Sequence, residues 1–189
     1  MSPTPLVRRG HGLGLALVGE HAESSDYDAL ARDVAAYDQR GCLSPRILFA
    51  KGELSSHAAQ LHEALERVET HLPRGVVPSS IQASSAQWRS TAAALHTIFE
   101  GSSHALVVDE AANFPFGPTH RHLLLRPFDD FAPTLERLGS RAKVVGYATV
   151  NAPETGCRVC PLGEMQRPRL RDGADDYPPC IGFVRRFAE

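Results

Sequence analysis

Apolar positions along the chain recur with two periods. Leu13 to Val18 is an unbroken apolar run of strand length, and Ile47 to Ala50, Ala105 to Val108, His122 to Arg126 and Val144 to Thr149 also read as buried strands. Between these runs the period lengthens to that of a helix. Tyr27, Leu30, Ala31, Val34 and Ala35 fall on one stripe behind a Ser25/Asp28 capping pattern, which predicts a helix over 26–38 with Gly41 as its stop. A second stripe, Ala58, Leu61, His62, Leu65, Val68 and Leu72, follows a cap at Ser55 or Ser56 and ends at Pro73. Val76 to Ala83 reads as a loop or short extended piece. A third stripe, Trp88, Thr91, Ala92, Leu95, Ile98 and Phe99, runs to Gly101, with Trp88 as a core anchor. Asp129-Asp130 opens a short helix carrying Phe131, Leu135 and Leu138.

Strands alternating with helices predict an α/β fold, a parallel sheet with helices on both faces. Residues 1–12 read as an exposed lead-in and 13–150 as the α/β domain. Residues 151–189 are rich in Pro and Gly and read as an irregular C-terminal arm packed on that domain, ending in a strand near Ile181 to Val184. In such sheets ligands sit beyond the carboxyl ends of the strands. That rule predicts one cleft shared by the loops that carry Cys42 and Phe116-Gly117-Pro118.

Composition narrows the function classes. The chain has 189 residues, 42% hydrophobic and 22% charged, which suits one domain with a real core. A net charge of −2 gives no basic field for nucleic acid. No apolar run approaches membrane-span length. Arg8-Arg9 ahead of Leu13 to Val18 imitates an export signal, but the apolar run is too short for one, so the expected location is cytoplasmic.

Candidate chemistry centres on Asp38-Gln39-Arg40-Gly41-Cys42-Leu43-Ser44-Pro45, where one thiol sits between helix and strand at a turn that Gly41 eases by tolerating unusual backbone angles. A nucleophile and a small buried hydrophobe are the two readings of such a cysteine. Four cysteines, Cys42, Cys157, Cys160 and Cys180, do not make a disulfide scaffold. Cys157-x-x-Cys160 has the spacing of structural thiols, a redox pair or half a zinc site; the first is favoured and no metal site is assigned. Gly10, Gly12 and Gly14 precede a strand rather than follow one, which argues against a dinucleotide loop. His57 and His62 are five apart, off the spacing of a helical metal pair, and read as surface or core-edge residues.

The string Tyr37-Asp38-Gln39-Arg40-Gly41-Cys42-Leu43-Ser44-Pro45 resembles the nucleophile segment of the acyl-CoA reductase (LuxC-type) family of the aldehyde dehydrogenase superfamily. Arg158-Val159-Cys160-Pro161-Leu162-Gly163-Glu164-Met165-Gln166-Arg167-Pro168 resembles that family's C-terminal Leu-Gly-x-Met-Gln-x-Pro segment. Phe116-Gly117-Pro118 is similar to the superfamily's Glu-x-Phe-Gly-Pro element at the nicotinamide ribose, with Phe114 where the glutamate would stand. The resemblance spans roughly residues 10 to 187 and implies a fold like an aldehyde dehydrogenase catalytic domain.

It also implies a chemistry. Cys42 would accept an acyl group from coenzyme A or an acyl-protein donor, and NADPH would reduce the acyl-enzyme to a long-chain aldehyde. Gln39, Arg40, Gly41 and Ser44 would form the substrate and oxyanion loop, and Phe116, Gly117 and Pro118 would contact the cofactor. No general base is indicated. The implied partners are an acyl-protein synthetase or transferase and further copies of the chain. The family carries a dinucleotide-binding portion ahead of its nucleophile, and only about 40 residues precede Cys42 here. The chain is then either part of a larger reductase or a natural short protein, with little NADPH-dependent turnover alone. The alternative is a non-catalytic module for protein binding or oligomerisation.

Overall fold

A computed structural model describes residues 12–138 and 141–169. Seven strands form one sheet: β1 (Leu13–Val18), β2 (Pro45–Ala50), β3 (Thr97–Glu100), β4 (Ala105–Val108), β5 (His122–Pro127), β6 (Ala142–Ala148) and β7 (Arg158–Pro161). Their order is β3-β4-β5-β2-β1-β6-β7, and every pair is parallel except β3 with β4. The central strands are buried on both faces, which is why they read as unbroken apolar runs rather than alternating ones.

Helices α1 (Ser24–Ala35) and α2 (Leu54–Glu69) cover one face. Tyr27, Leu30, Val34, Leu61 and Leu65 pack there against Ala16, Leu48, Leu106 and Leu123. Helix α4 (Ala132–Leu138) brings Phe131 and Leu135 against Leu15, Ile47 and Val145 on the other face. Helix α3 (Ser79–Leu95) lies on that second face too, and Trp88 and Ala92 pack against Ala105, Val107 and Leu124. The α/β fold with helices on both faces is as the alternating pattern predicts. Among the described residues no helix is long and apolar enough to cross a membrane.

Four local expectations change. The cap of α1 sits two residues earlier than Ser25, where Glu23 N donates to Asp26 Oδ2 at 2.9 Å. Residues 79–83 belong to α3 rather than to a loop, and α3 stops at Leu95. Ile98 and Phe99, which share a stripe with Trp88 at helical spacing, instead lie on β3, where Ile98 packs on the Trp88 side of the sheet and Phe99 on the α2 side. Period two has displaced period 3.6 there, because β-branched Thr97 and Ile98 can pair with Val107 and Val108 across a hairpin. Finally, the segment read as irregular beyond residue 150 adds β7 to the sheet edge beside β6. The lead-in through residue 11 and the expected strand near Ile181 to Val184 lie outside the described residues.

Candidate active site

The connection from α1 to β2 is short and tightly wound. A single 3-10 turn, Ala36–Gln39, closes α1, and Tyr37, Asp38 and Gln39 take left-handed angles with φ of 53°, 51° and 59°. Non-glycine residues adopt that region rarely, so something must hold them there. Gly41, expected to supply the unusual angles, is not in the left-handed region. A Cβ there would lie at ordinary contact distance from Ser44 Oγ at 3.4 Å and Gln166 Oε1 at 3.6 Å, so neither angle nor space requires glycine at this position.

Gln39 is the first restraint. It is 1% exposed, and its amide clamps two neighbouring strands. Nε2 donates to Pro45 O at 2.8 Å and to His122 O at 2.9 Å, while Oε1 accepts from His122 N at 2.8 Å. Asp38 is the second. Its carbonyl accepts from His120 N at 3.0 Å, its Oδ1 from Arg121 Nη2 at 2.9 Å and its Oδ2 from Gly75 N at 3.1 Å. Arg121 is itself buried and also pairs with Glu69 and donates to Leu72 O. His120 and Arg121 are left-handed as well, with φ of 78° and 68°. The two strained turns that enter β2 and β5 therefore brace each other.

A third restraint comes from far along the chain. The turn after β7 presents Gly163 N and Met165 N to the Asp33 carboxylate of α1 at 2.6 and 3.2 Å. Gln166 then reaches under the loop, donating to Ser44 Oγ at 3.1 Å and Asp33 O at 3.3 Å. Asp33 is 2% exposed, and burial pushes its carboxyl up to about 6 against the opposing pull of those backbone N–H groups and Arg32.

Cys42 tops this braced turn and is exposed. Among the described residues its backbone N–H has no hydrogen-bond acceptor, while Ser44 N closes the turn onto Gly41 O at 3.1 Å. Arg40 is exposed too, with Nε on Tyr37 O. Buried Gln39 and Ser44 act on the loop from beneath.

The loop enters β2, so it lies at the amino edge of the parallel sheet, not at the carboxyl edge that the general rule for such sheets predicts. A helix-to-strand connection has no other place to be. At the carboxyl edge an open hollow of about 470 Å³ is lined by Gly19, Glu20, Lys51, Thr149, Val150 and Asn151, and contains none of the candidate residues.

Phe116-Gly117-Pro118 lies in the connection between β4 and β5. Gly117 O accepts from Arg46 Nη2, and a Cβ on Gly117 would meet His122 Cβ and the Trp88 ring at 2.9 Å. The Phe116 ring packs between the two apolar clusters of its face, with the Arg46 and Arg126 guanidinium carbons 5.9 and 5.8 Å from its centroid. Phe114, where a ribose-binding carboxylate would stand, is buried against Trp88 and His96. The nearby Asp109 carboxylate is fully buried and already occupied by Arg126 Nε and by the backbone N–H groups of Asn113 and Phe114, so it is not free to accept from sugar hydroxyls.

Two buried imidazoles line the amino edge. Burial and the Arg89 charge hold His122 down at about 4, and burial together with His62 and the nearby Arg89 and Arg121 charges holds His104 down at about 3. Both are neutral at pH 7. His122 is committed to Thr119 O through Nδ1 and to Arg89 through Nε2, so it is no general base for Cys42. Sequence reading missed the roles of Asp33, Asp38 and Arg121. Burial of charged residues on apolar stripes is a tertiary property with no local signature, although Asp33 beside Val34 on a buried stripe is a hint.

A family model for acyl-CoA reductase (LuxC) matches residues 3–143. The matched span includes Cys42 and stops short of the Gln166 segment, which the fold nevertheless places against it. No curated protein sequence matches the chain. Among solved structures, indole-3-acetaldehyde dehydrogenase AldA of P. syringae superposes with a TM-score of 0.64 at 9% identity, over 87% of this chain and 41% of that one. Salicylaldehyde dehydrogenase of Pseudomonas putida G7 gives 0.62 at 13% identity over 87% and 42%. Methylmalonate-semialdehyde dehydrogenase of Oceanimonas doudoroffii gives 0.60 at 11% over 86% and 41%. The likeness is one of fold, and the chain spans about two fifths of the length of these enzymes.

Proposed function

Since the chain belongs to the LuxC acyl-CoA reductase family and has an aldehyde-dehydrogenase fold, we propose that it is the catalytic portion of an acyl-CoA or acyl-protein thioester reductase, with Cys42 as the nucleophile. The observation that carries the reading is the exposed Cys42 thiol on a turn braced from beneath by both family-like segments, through Gln39 and through Gln166. A core-filling cysteine would be buried, and this one is exposed.

In this reading the Cys42 thiolate attacks the thioester carbonyl carbon. A carbon–sulfur bond forms, the carbonyl electrons move to oxygen, and the Cys42 backbone N–H meets the oxyanion. The oxyanion collapses, the bond to the donor sulfur breaks, and the donor thiolate leaves with the electron pair. The new thioester stays electrophilic enough for reduction to a long-chain aldehyde. NADPH is the hydride donor that the resemblance implies. The residues around Phe114 and Phe116 do not fit a nicotinamide ribose, so this chain's own side chains account for acyl transfer and not for hydride delivery. The partners of this reading are a soluble acyl donor in the cytoplasm, an acyl-protein synthetase or transferase, and further copies of the chain.

Incubation with a long-chain acyl-CoA followed by intact-mass spectrometry tests the proposal. The expected result is one acyl adduct per chain that hydroxylamine removes and that is absent from Cys42→Ala. An unmodified wild-type chain, or an adduct that persists in Cys42→Ala, overturns it.

A further inference from the structure

Away from the Cys42 loop, three potential ligands meet where α2 passes the hairpin between β3 and β4. His62 and Glu66 are four residues apart on α2, so their side chains leave the same helix face one turn apart. His104 comes from the hairpin, just before β4. His62 Nδ1 lies 2.9 Å from His104 Nε2, and the ring centroids are 4.9 Å apart. Glu66 Oε1 is 3.7 Å from His104 Nδ1, and one ligand atom from each of the three residues falls within 4.8 Å of the others.

Hydrogen bonding accounts for only part of this cluster. Two neutral imidazoles can share one proton, which satisfies one nitrogen on each ring. His104 is 0% exposed, yet its Nδ1 has no hydrogen-bond partner, and the Glu66 carboxylate is too far to provide one. The hairpin has also made room: a side chain at Gly101 would collide with Glu66 and the His104 ring. Of the cations near His104, Arg121 is paired by Asp38 and Glu69, and Arg89 lies close to Glu100.

We propose that His62, Glu66 and His104 form a binding site for a divalent transition-metal ion of the zinc class, with a fourth position open on the Glu66 side. Two imidazoles and a carboxylate are a donor set that such ions take, and the three-ligand set leaves an open position. On His104 the ligating atom is the unpartnered Nδ1, 3.7 Å from Glu66 Oε1, while Nε2 keeps the 2.9 Å contact with His62 Nδ1 until the ion draws His62 in. His62 is only half-buried, so a side-chain rotation can turn a ring nitrogen toward the ion. Glu66 is exposed, so the ion has a way in. Once bound it would tie the β3–β4 hairpin to α2.

The test uses the untagged 189-residue chain, stripped with a chelator, dialysed and titrated with Co²⁺ and then Zn²⁺. The expected result is one ion per chain by elemental analysis. Co²⁺ should give ligand-field absorption without the sulfur-to-metal charge-transfer band that Cys42, Cys157, Cys160 or Cys180 would produce. His62→Gln and Glu66→Gln, on the more accessible side of the site, should keep the fold by circular dichroism and weaken binding by at least about tenfold. His104→Asn is a third variant of lesser weight, since that residue is buried. No ion retained by the wild-type chain, a thiolate charge-transfer band, or affinity unchanged in both α2 variants each overturns the proposal.

Discussion

Two connections enter neighbouring parallel strands at the same edge of this sheet, and they end differently. The one before β2 holds its backbone in left-handed angles and leaves Cys42 exposed at its top. The one before β5 buries Gly117 against Trp88 and half-buries Phe116, whose ring lies beside Arg46 and Arg126. Both carry a family-like string, yet only the first presents an exposed thiol. A motif marks descent, and the packing around it decides whether its side chains are available for chemistry. The difference is structural rather than sequential, because each strained turn is held by the other through Gln39, Asp38 and Arg121.

The contrast is broken most severely at Gln39. Replacing it by Ala removes three buried hydrogen bonds, to Pro45 O, His122 O and His122 N, which at about 1–1.5 kcal/mol per bond is on the order of 3–5 kcal/mol. Urea unfolding of Gln39→Ala checks this. A loss under about 1 kcal/mol would mean that the left-handed turn is held by something else.

Next is Asp33, the link between α1 and the Gln166 turn. Its folded carboxyl is raised from 3.8 to about 6, so the folded state binds that proton more tightly than the unfolded state does. Its stabilising share is therefore complete below pH 3.8 and is lost as pH rises through about 6. The difference amounts to something on the order of 2–3 kcal/mol between those limits. Asp33→Asn should flatten the fall in stability with pH across that window relative to the wild-type chain, read from denaturant midpoints at several pH values. Parallel profiles for the two proteins would show that burial does not govern this carboxyl.

The smallest effect belongs to the loop before β5. Phe116→Leu gives up the ring beside two guanidinium groups and should lower stability by about 1 kcal/mol while leaving the rate of Cys42 acylation unchanged. A matching loss of acylation would place Phe116 at the thiol's cleft and erase the contrast between the two connections.

Much of the fold was legible. The apolar runs from Leu13, Ile47, Ala105, His122 and Val144 are all strands, because a strand covered on both faces must be apolar throughout. Helices α1, α2 and α4 follow stripes whose buried residues are those of the core. The hairpin strand β3 was hidden, since Ile98 and Phe99 also fit the helical stripe of Trp88 and Ala92, and only pairing with β4 chooses between the two periods. Strand β7 was hidden because four residues between turns give no period at all. At the site, Cys42 and its flanking Gln39 and Ser44 could be singled out from the string alone. The His62–Glu66 pair was overlooked by measuring His57 to His62 instead, and His104 lies too far along the chain for any spacing rule to include it.

By itself, the order of apolar runs and stripes determined the layered α/β fold, since burying each apolar face against the next leaves few other arrangements, and the words around Cys42 determined the family. Only tertiary structure decided that the cysteine's loop lies at the amino edge, that Phe116 is half-buried between two apolar clusters, and that His104 comes to rest beside His62. Those outcomes depend on contacts between residues that are distant in sequence, where burial and hydrogen-bond satisfaction select one geometry from several the local pattern allows.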